Sequence, residues 1–326
     1  MRIAVVGAGA IGAYVGACLH RGGADVHLVA RGAQLAAIRE RGVDVRSPRG
    51  DFVAHVPATD DPATIGPVDV VFLGLKAYSY RTAGPLLAPL LRPDTGVVAA
   101  QNGVPWWYFH GVAGEHAGRR ITSVDPDGAT TAAIPVAHAI GCVVYCSTEL
   151  AEPGVVVHGE GTRFSIGEPD GAISDRCTGF AEAMVAGGLR CPVEADIRAD
   201  IWIKLMGNAV FNPLSALTRA TMAQIATFPP TRALAASVMA EVLEVARALG
   251  VAPAMDVERR LEGAARVGDH KTSTLIDLEA GKTLELGAIV DAVVELAELT
   301  GTPAPSLRAI QAAVGLLART LGIDER

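Results

Sequence analysis

Long apolar runs, excess positive charge and clustered cysteines are all missing from this chain of 326 residues, and each absence removes a class of function. No apolar run approaches the roughly 20 residues needed to cross a bilayer, so no membrane-spanning segment is expected. The N-terminal apolar stretch is short and broken by glycines. It reads as a strand rather than a signal sequence, which makes a cytoplasmic protein the expectation. A net charge of −7 argues against nucleic acid and anionic membranes as partners. The five cysteines, at 18, 142, 146, 177 and 191, form no metal-like cluster. They read as small packing residues in a reduced compartment, with no metal site expected. Neither a His-x-x-x-His pair nor a Ser/His/Asp ordering stands out, so hydrolase chemistry has no support. Aromatics are sparse at 5%, yet four of them fall together at 106–109.

What the chain does have is apolar substance. It is 50% hydrophobic and 19% charged, enough for substantial cores, and its length suggests two domains. The run Gly7-Ala8-Gly9-Ala10-Ile11-Gly12 directly follows the apolar Ile3-Ala4-Val5-Val6. Strand, tight turn and helix start in that order mark a dinucleotide site. The glycines permit a sharp turn, close approach to a pyrophosphate and close helix packing. The following helix aims its free N–H groups, from Gly9, Ala10, Ile11 and Gly12 onward, at the phosphates. A second apolar run ends at Val29, where an NAD site usually carries Asp or Glu. Here Ala30-Arg31 stands instead. A guanidinium grips a 2′-phosphate that a carboxylate would repel, so the expected cofactor is NADP(H). Arg39 and Arg41 add to a candidate basic patch.

From residue 1 to about 168, strands alternate with helices, with strands at 2–6, 25–29, 69–75, 96–100 and 140–146. Near-continuous apolar runs indicate parallel strands buried on both faces. A hairpin is expected over 42–57, turning at Ser47-Pro48-Arg49-Gly50. Short antiparallel strands follow at 154–158 and 163–166, then a helix at 174–187 and an edge strand at 189–194. Beyond about 196 the periodicity is helical only, at 197–217, 231–249, 255–265, 285–299 and 306–321. The expected fold is therefore α/β. An N-terminal Rossmann-type doubly wound sheet (1–196) binds NADP(H), and an all-helical C-terminal domain (197–326) is catalytic. A cleft between them is the expected ligand site.

Two polar residues close strands where ligands gather in such sheets: Lys76 after 69–75 and Asn102 after 96–100. In the helical half, Lys204, Asn208 and Asn212 are spaced i, i+4, i+8 on an otherwise apolar helix, so they share one face. A partly desolvated lysine suits proton donation to a carbonyl oxygen as hydride reaches carbon. A second polar set lies at 270–277 and Glu285. There Thr274-x-x-Asp277 also reads as a helix capping box, and Glu285 as a first-turn carboxylate favouring the helix dipole.

With these residues in order, the chain resembles the ketopantoate reductase family (2-dehydropantoate 2-reductases), from Gly7 to about Thr302. The resemblance rests on Gly7-x-Gly9-x-x-Gly12, Lys76, Asn102-Gly103, and Trp202-Ile203-Lys204-Leu205 with Asn208 and Asn212-Pro213-Leu214. It continues in the run from Thr272 through Ser273 to Asp277 and in Glu285. It implies hydride transfer from NADPH to ketopantoate, giving pantoate for pantothenate synthesis. Lys204 is implied as general acid, and Glu285 as the carboxylate orienting Lys204 and the substrate hydroxyl. By the same resemblance Asn208, Asn212 and Ser273 hold the substrate, Asn102 sits between nicotinamide and substrate, and Lys76 lies near the cofactor ribose. Three features depart from the family pattern: the aromatic run at 106–109, Gly287 where an acidic residue is common, and no Asn within 217–222. The rival expectations are reduction of another branched or aromatic 2-oxo acid, or a non-catalytic NADP(H)-binding regulator. A homodimer is possible.

Overall fold

The structure, a computed structural model, describes residues 1–325. The chain divides into two compact units. Unit 1 comprises Met1–Gln101, Trp107–Arg120 and Asp127–Ile197, and unit 2 comprises Asn102–Trp106, Ile121–Pro126 and the chain from Arg198 onward. Two short loops of the sheet-forming half, 102–106 and 121–126, are therefore counted with the helices.

In unit 1, β1 (Arg2–Val6), α1 (Ala10–Arg21), β2 (Asp25–Val29) and α2 (Gly32–Arg41) begin an alternating pattern. The hairpin β3 (Val43–Arg46) and β4 (Phe52–Ala54) follows, then β5 (Ala58–Thr59), β6 (Val70–Leu73), α3 (Gly84–Leu87) and β7 (Gly96–Ala99). After α4 (Ala129–Ala133) come two long strands, β8 (Ala139–Glu152) and β9 (Val155–Gly167), and then α5 (Asp175–Ala186). All nine strands form one sheet, in the order β4-β3-β9-β8-β7-β6-β1-β2-β5. From β5 through β2, β1, β6 and β7 to β8 every pairing is parallel. Strands β6 and β7 are buried at every residue, the signature of strands covered on both faces. Phe72 of β6 meets Phe164 edge-on and stacks with Phe180 of α5, with ring centroids 6.4 and 6.2 Å apart.

Two expected strands, 154–158 and 163–166, merge into β9, which runs antiparallel to β8 through three register shifts. Gly161, at φ 74°, stands at this irregular stretch, where a Cβ would lie 2.3 Å from the Tyr145 carbonyl. The expected edge strand at 189–194 makes only isolated parallel bridges, at Arg190 and Val193. Pro192 between them has no N–H to donate, so the ladder cannot continue. The aromatic run is packed away: Trp106, Trp107, Tyr108 and Phe109 are all buried. Trp107 lies against β8 so closely that a Cβ at Gly141 would be 2.8 Å from its ring. Cys18, Cys177 and Cys191 are buried, and burial pushes the Cys18 thiol up to about 11.

Unit 2 is helical. It holds α6 (Ile197–Thr218), α7 (Met222–Thr227), α8 (Pro229–Ala248), α9 (Val257–Arg266), α10 (Ser273–Glu279), α11 (Ala292–Thr300) and α12 (Pro305–Leu321). Helix α6 buries Trp202, Leu205, Met206, Ala209, Val210 and Phe211, each worth roughly 1.5–3 kcal/mol where large and apolar. The short α7, absent from the sequence reading, is closed by a capping box between Thr221 and Gln224. The cap of α10 is Thr272, whose hydroxyl accepts from the Leu275 N–H at 3.1 Å. Thr274 instead lies buried inside the helix, so the Thr274/Asp277 capping box does not form. The helix expected from 285 begins after Glu285 and opens with a π-turn, Gly287–Asp291, before α11. Two carboxylates cap other segments. Glu241 of α8 accepts from the first N–H groups of α12, and Glu295 of α11 accepts from Thr122 and Ser123.

Candidate functional site

In unit 1 the turn after β1 is built around glycines. Gly7 has φ 92°, a left-handed conformation that a side chain would strain. At Gly12 a Cβ would fall 2.0 Å from the Gly7 carbonyl oxygen, and at Gly74 one would fall 2.6 Å from the same atom. Gly74 is a glycine the sequence reading missed. It follows β6, the neighbour of β1, and lets the two strand ends close together. At Gly9 the nearest atom to such a Cβ is 4.0 Å away, so this glycine is required for no intramolecular reason. Gly9 is the N-cap of α1, and the helix opens with the free N–H groups of Ala10, Ile11 and Gly12. An open glycine at the head of a helix with no side-chain cap is a cradle suited to a pyrophosphate.

Arg31, immediately before α2, is exposed and makes no side-chain hydrogen bond or ion pair among the described residues. Arg39 and Arg41 are engaged elsewhere: Arg39 with the Ala58 carbonyl and Asp60, and Arg41 with the Pro153 carbonyl and Glu152. The expected three-arginine patch therefore reduces to Arg31. Lys76 sits three residues beyond β6, half-buried, at the head of a 3-10 turn. These residues fit a nicotinamide dinucleotide at its pyrophosphate and adenosine end.

In unit 2 Lys204, Asn208 and Asn212 lie on the single helix α6. Lys204 Nζ donates a 2.7 Å hydrogen bond to Asn102 Oδ1. Asn102 is held by its neighbours: the Val104 N–H donates to the Ala288 carbonyl at 2.8 Å. At Gly103, with φ 81°, a Cβ would lie 2.2 Å from that same carbonyl, so only glycine lets the loop reach it. Ala288 stands three residues after Glu285, which is buried to 5% exposure. The loop of Asn102, the π-turn behind Glu285 and Lys204 on α6 are thereby linked.

At the other end of the stripe Asn212 is 5% exposed, and its Nδ2 has no hydrogen-bond partner among the described residues. A buried amide without a partner is expensive and points to a ligand. One turn on, Ser215 shares a short hydrogen bond with Thr272, the cap of α10. That bond places Ser273, the exposed first residue of α10, beside the distal end of the stripe.

Two residues that sequence reasoning missed also belong to this region. A Cβ at Gly287 would lie 2.7 Å from Glu325 Oε2, and the Gly287 N–H donates to Glu325 Oε1 at 3.3 Å. The carboxyl of Glu325 thus occupies the space a side chain at 287 would need. Although the residue as a whole is exposed, that carboxyl turns inward. Its burial chiefly, and then the charges of Glu285 and Asp291, push it up to about 7. The second is Arg260 of α9, whose guanidinium rests on Gly207 of α6. Neither had a local signal: one is a C-terminal glutamate, the other one of three arginines on its helix. Among the described residues no cluster of three or more His, Cys, Asp or Glu could hold a metal ion, and no helix is long and apolar enough to cross a membrane.

Residues 3–171 match the family model described as Ketopantoate reductase PanE/ApbA, and residues 196–318 match the model of its C-terminal region. The chain is 47% identical over 319 residues to a 2-dehydropantoate 2-reductase of Mesorhizobium japonicum, covering 98% of each. It is 30% identical to the crystal structure of a 2-dehydropantoate 2-reductase from Geobacter metallireducens, with TM-score 0.85 over 97% of this chain and 100% of that one. A D-mandelate dehydrogenase solved with NADH shares the fold at 19% identity, with TM-score 0.82 over 99% of this chain and 100% of that one. With matches that run through both units, the chain belongs to the ketopantoate reductase family.

Proposed function

We propose that this protein reduces 2-dehydropantoate to pantoate with NADPH, the step that feeds pantothenate synthesis. The observation that carries the chemistry is Lys204, half-buried and bonded to Asn102 at the head of a polar stripe on an apolar helix. Bound reduced nicotinamide supplies the hydride that the C2 carbon accepts. Lys204 holds the proton at Nζ and delivers it to the C2 oxygen, so that a ketone becomes an alcohol. Asn102 fixes the direction of that ammonium through its Oδ1. Glu285, buried and acidic, orients Lys204 and the substrate hydroxyl. Asn208, Asn212 and Ser273 hold the carboxylate and hydroxyl groups, and the unpartnered Nδ2 of Asn212 supports this reading.

Residues 1–196 serve as the cofactor-binding region and 197–326 as the catalytic one. Gly7, Gly9, Ala10, Ile11 and Gly12 take the pyrophosphate, Arg31 the 2′-phosphate and Lys76 the ribose. The preference for NADPH over NADH rests on Arg31, whose guanidinium is uncommitted among the described residues. The buried 106–109 run removes the motive for an aromatic substrate. The same reading has a cytoplasmic enzyme that takes a small molecule rather than nucleic acid, and sedimentation velocity tests whether it assembles as a homodimer.

The direct test is oxidation of NADPH by the purified protein with ketopantoate, followed at 340 nm. Turnover with a sub-millimolar KM supports the assignment. Cofactor binding with no turnover of any 2-oxo acid overturns it in favour of a regulator.

A further inference from the structure

The residues assigned so far leave a charge imbalance. Among those assigned to the substrate, Lys204 is the one cation, and the acidic Glu285 is buried to 5% exposure. An ionised 2-oxo acid adds a second negative charge. Asn102, Asn208, Asn212 and Ser273 are neutral. Buried charge without compensation is strongly destabilising, and a second cation beside the stripe would offset the charge the substrate adds.

Arg260 is placed to be that cation. Helix α9 carries three arginines: Arg259 and Arg266 are exposed, whereas Arg260 turns toward α6. A Cβ at Gly207 would lie 2.4 Å from Arg260 Nη2, 2.8 Å from Nε and 3.0 Å from Cζ. The guanidinium therefore rests on bare backbone that only glycine provides. Its Cζ is also 5.8 Å from the Phe211 ring centroid. By helix geometry Gly207 and Phe211 flank the line that begins at Lys204, on the opposite side from Asn208. A planar fork of N–H donors there matches a carboxylate bidentately.

We infer that Arg260 receives the carboxylate of the 2-oxo acid and makes the enzyme selective for anionic substrates. Arg260 binds the substrate and takes no part in proton transfer. The inference rests on the reductase reading above, and Gly207 acts as its seat.

The test combines steady-state kinetics with ketopantoate on wild type, R260A, R260K and G207A with calorimetric binding of pantoate and of its neutral lactone. Loss of a charged hydrogen-bond pair raises KM about 10- to 100-fold in R260A. With uniform binding removed, kcat stays within about threefold. R260K recovers part of the loss. G207A, favourable for the helix itself, reproduces the rise because its Cβ displaces the guanidinium. Lactone binding is unchanged throughout. An unchanged KM, or pantoate and lactone weakened alike, overturns the inference and assigns Arg260 to packing of α9 on α6. A wild-type protein inert toward ketopantoate fails the reductase reading instead, and is recognised before any variant is measured.

Discussion

Lys204 Nζ is bonded at 2.7 Å to Asn102 Oδ1, a partner 102 residues earlier in the chain. The bond aims an ammonium group that would otherwise sweep many rotamers. Replacement of Lys204 by Ala is expected to lower kcat by about 10²- to 10⁴-fold, the usual range for a lost general acid. Asn102→Ala keeps the acid but frees it, so a smaller loss is expected. NADPH binding, read by fluorescence, should survive in both. Wild-type turnover in the Lys204 variant would remove it from the chemistry.

On the proposed reading, Arg31 selects the phosphorylated over the unphosphorylated cofactor. Arg31→Ala should raise KM for NADPH about 10- to 100-fold, the worth of one or two charge-assisted hydrogen bonds, and leave KM for NADH nearly unchanged. Equal weakening of both cofactors would show that Arg31 supports the fold of the turn rather than the 2′-phosphate.

Gly9 and Gly12 separate packing from phosphate approach. An Ala at Gly12 puts its Cβ 2.0 Å from the Gly7 oxygen, and a loss of about 2 kcal/mol or more is expected. An Ala at Gly9 meets no atom closer than 4.0 Å, so thermal stability should be unchanged. Gly9→Ala should nevertheless weaken NADPH, because the methyl fills the cradle. Undiminished cofactor affinity in the Gly9 variant would place the pyrophosphate elsewhere.

These residues also mark how far the sequence could be read. The strand-turn-helix of residues 2–21 was legible because local rules decide it: apolar strand, glycine turn, helix. The stripe from Lys204 to Asn212 was legible because spacing alone sets the face of a long helix. The cap at Thr272 was not legible because Thr274-x-x-Asp277, two residues on, fits the local capping template, and burial decides between the two threonines. The loop at Asn102 joining the helical unit, the seat of Arg260 on Gly207 and the carboxyl of Glu325 at Gly287 were illegible. Each depends on segments at least 38 residues apart, which no local pattern encodes.

Glu325 carries a pH signature. Its carboxyl is pushed up to about 7, from an ordinary 4.5, by burial and by its acidic neighbours Glu285 and Asp291. Between those values the folded chain holds the proton and the unfolded chain releases it. Stability is therefore lost as pH rises from about 4.5 through 7. Glu325→Gln removes the titration. The variant should match wild type near pH 4.5 and exceed it at pH 8, by roughly 1 kcal/mol once partial exposure is allowed for. Parallel Tm-against-pH curves for the two proteins would refute the assignment.

Asn212 opposes stability to function. Its Nδ2 is buried and has no partner among the described residues, a polar group that folding desolvates without return from them. Leucine has nearly the same shape and no polar atoms. Asn212→Leu should therefore hold or raise the melting temperature, by about 1 kcal/mol of stability, because the unsatisfied donor is gone. The same change removes the donor proposed to hold the substrate, so KM for ketopantoate should rise about tenfold or more. A residue kept only for packing would show neither effect. A stabilised variant with unaltered KM would show that the buried amide answers to something other than the substrate. A destabilised one would show that the site needs the polar group even when empty. The combination of higher stability and poorer substrate binding is the outcome that identifies Asn212 as held in reserve for the ligand.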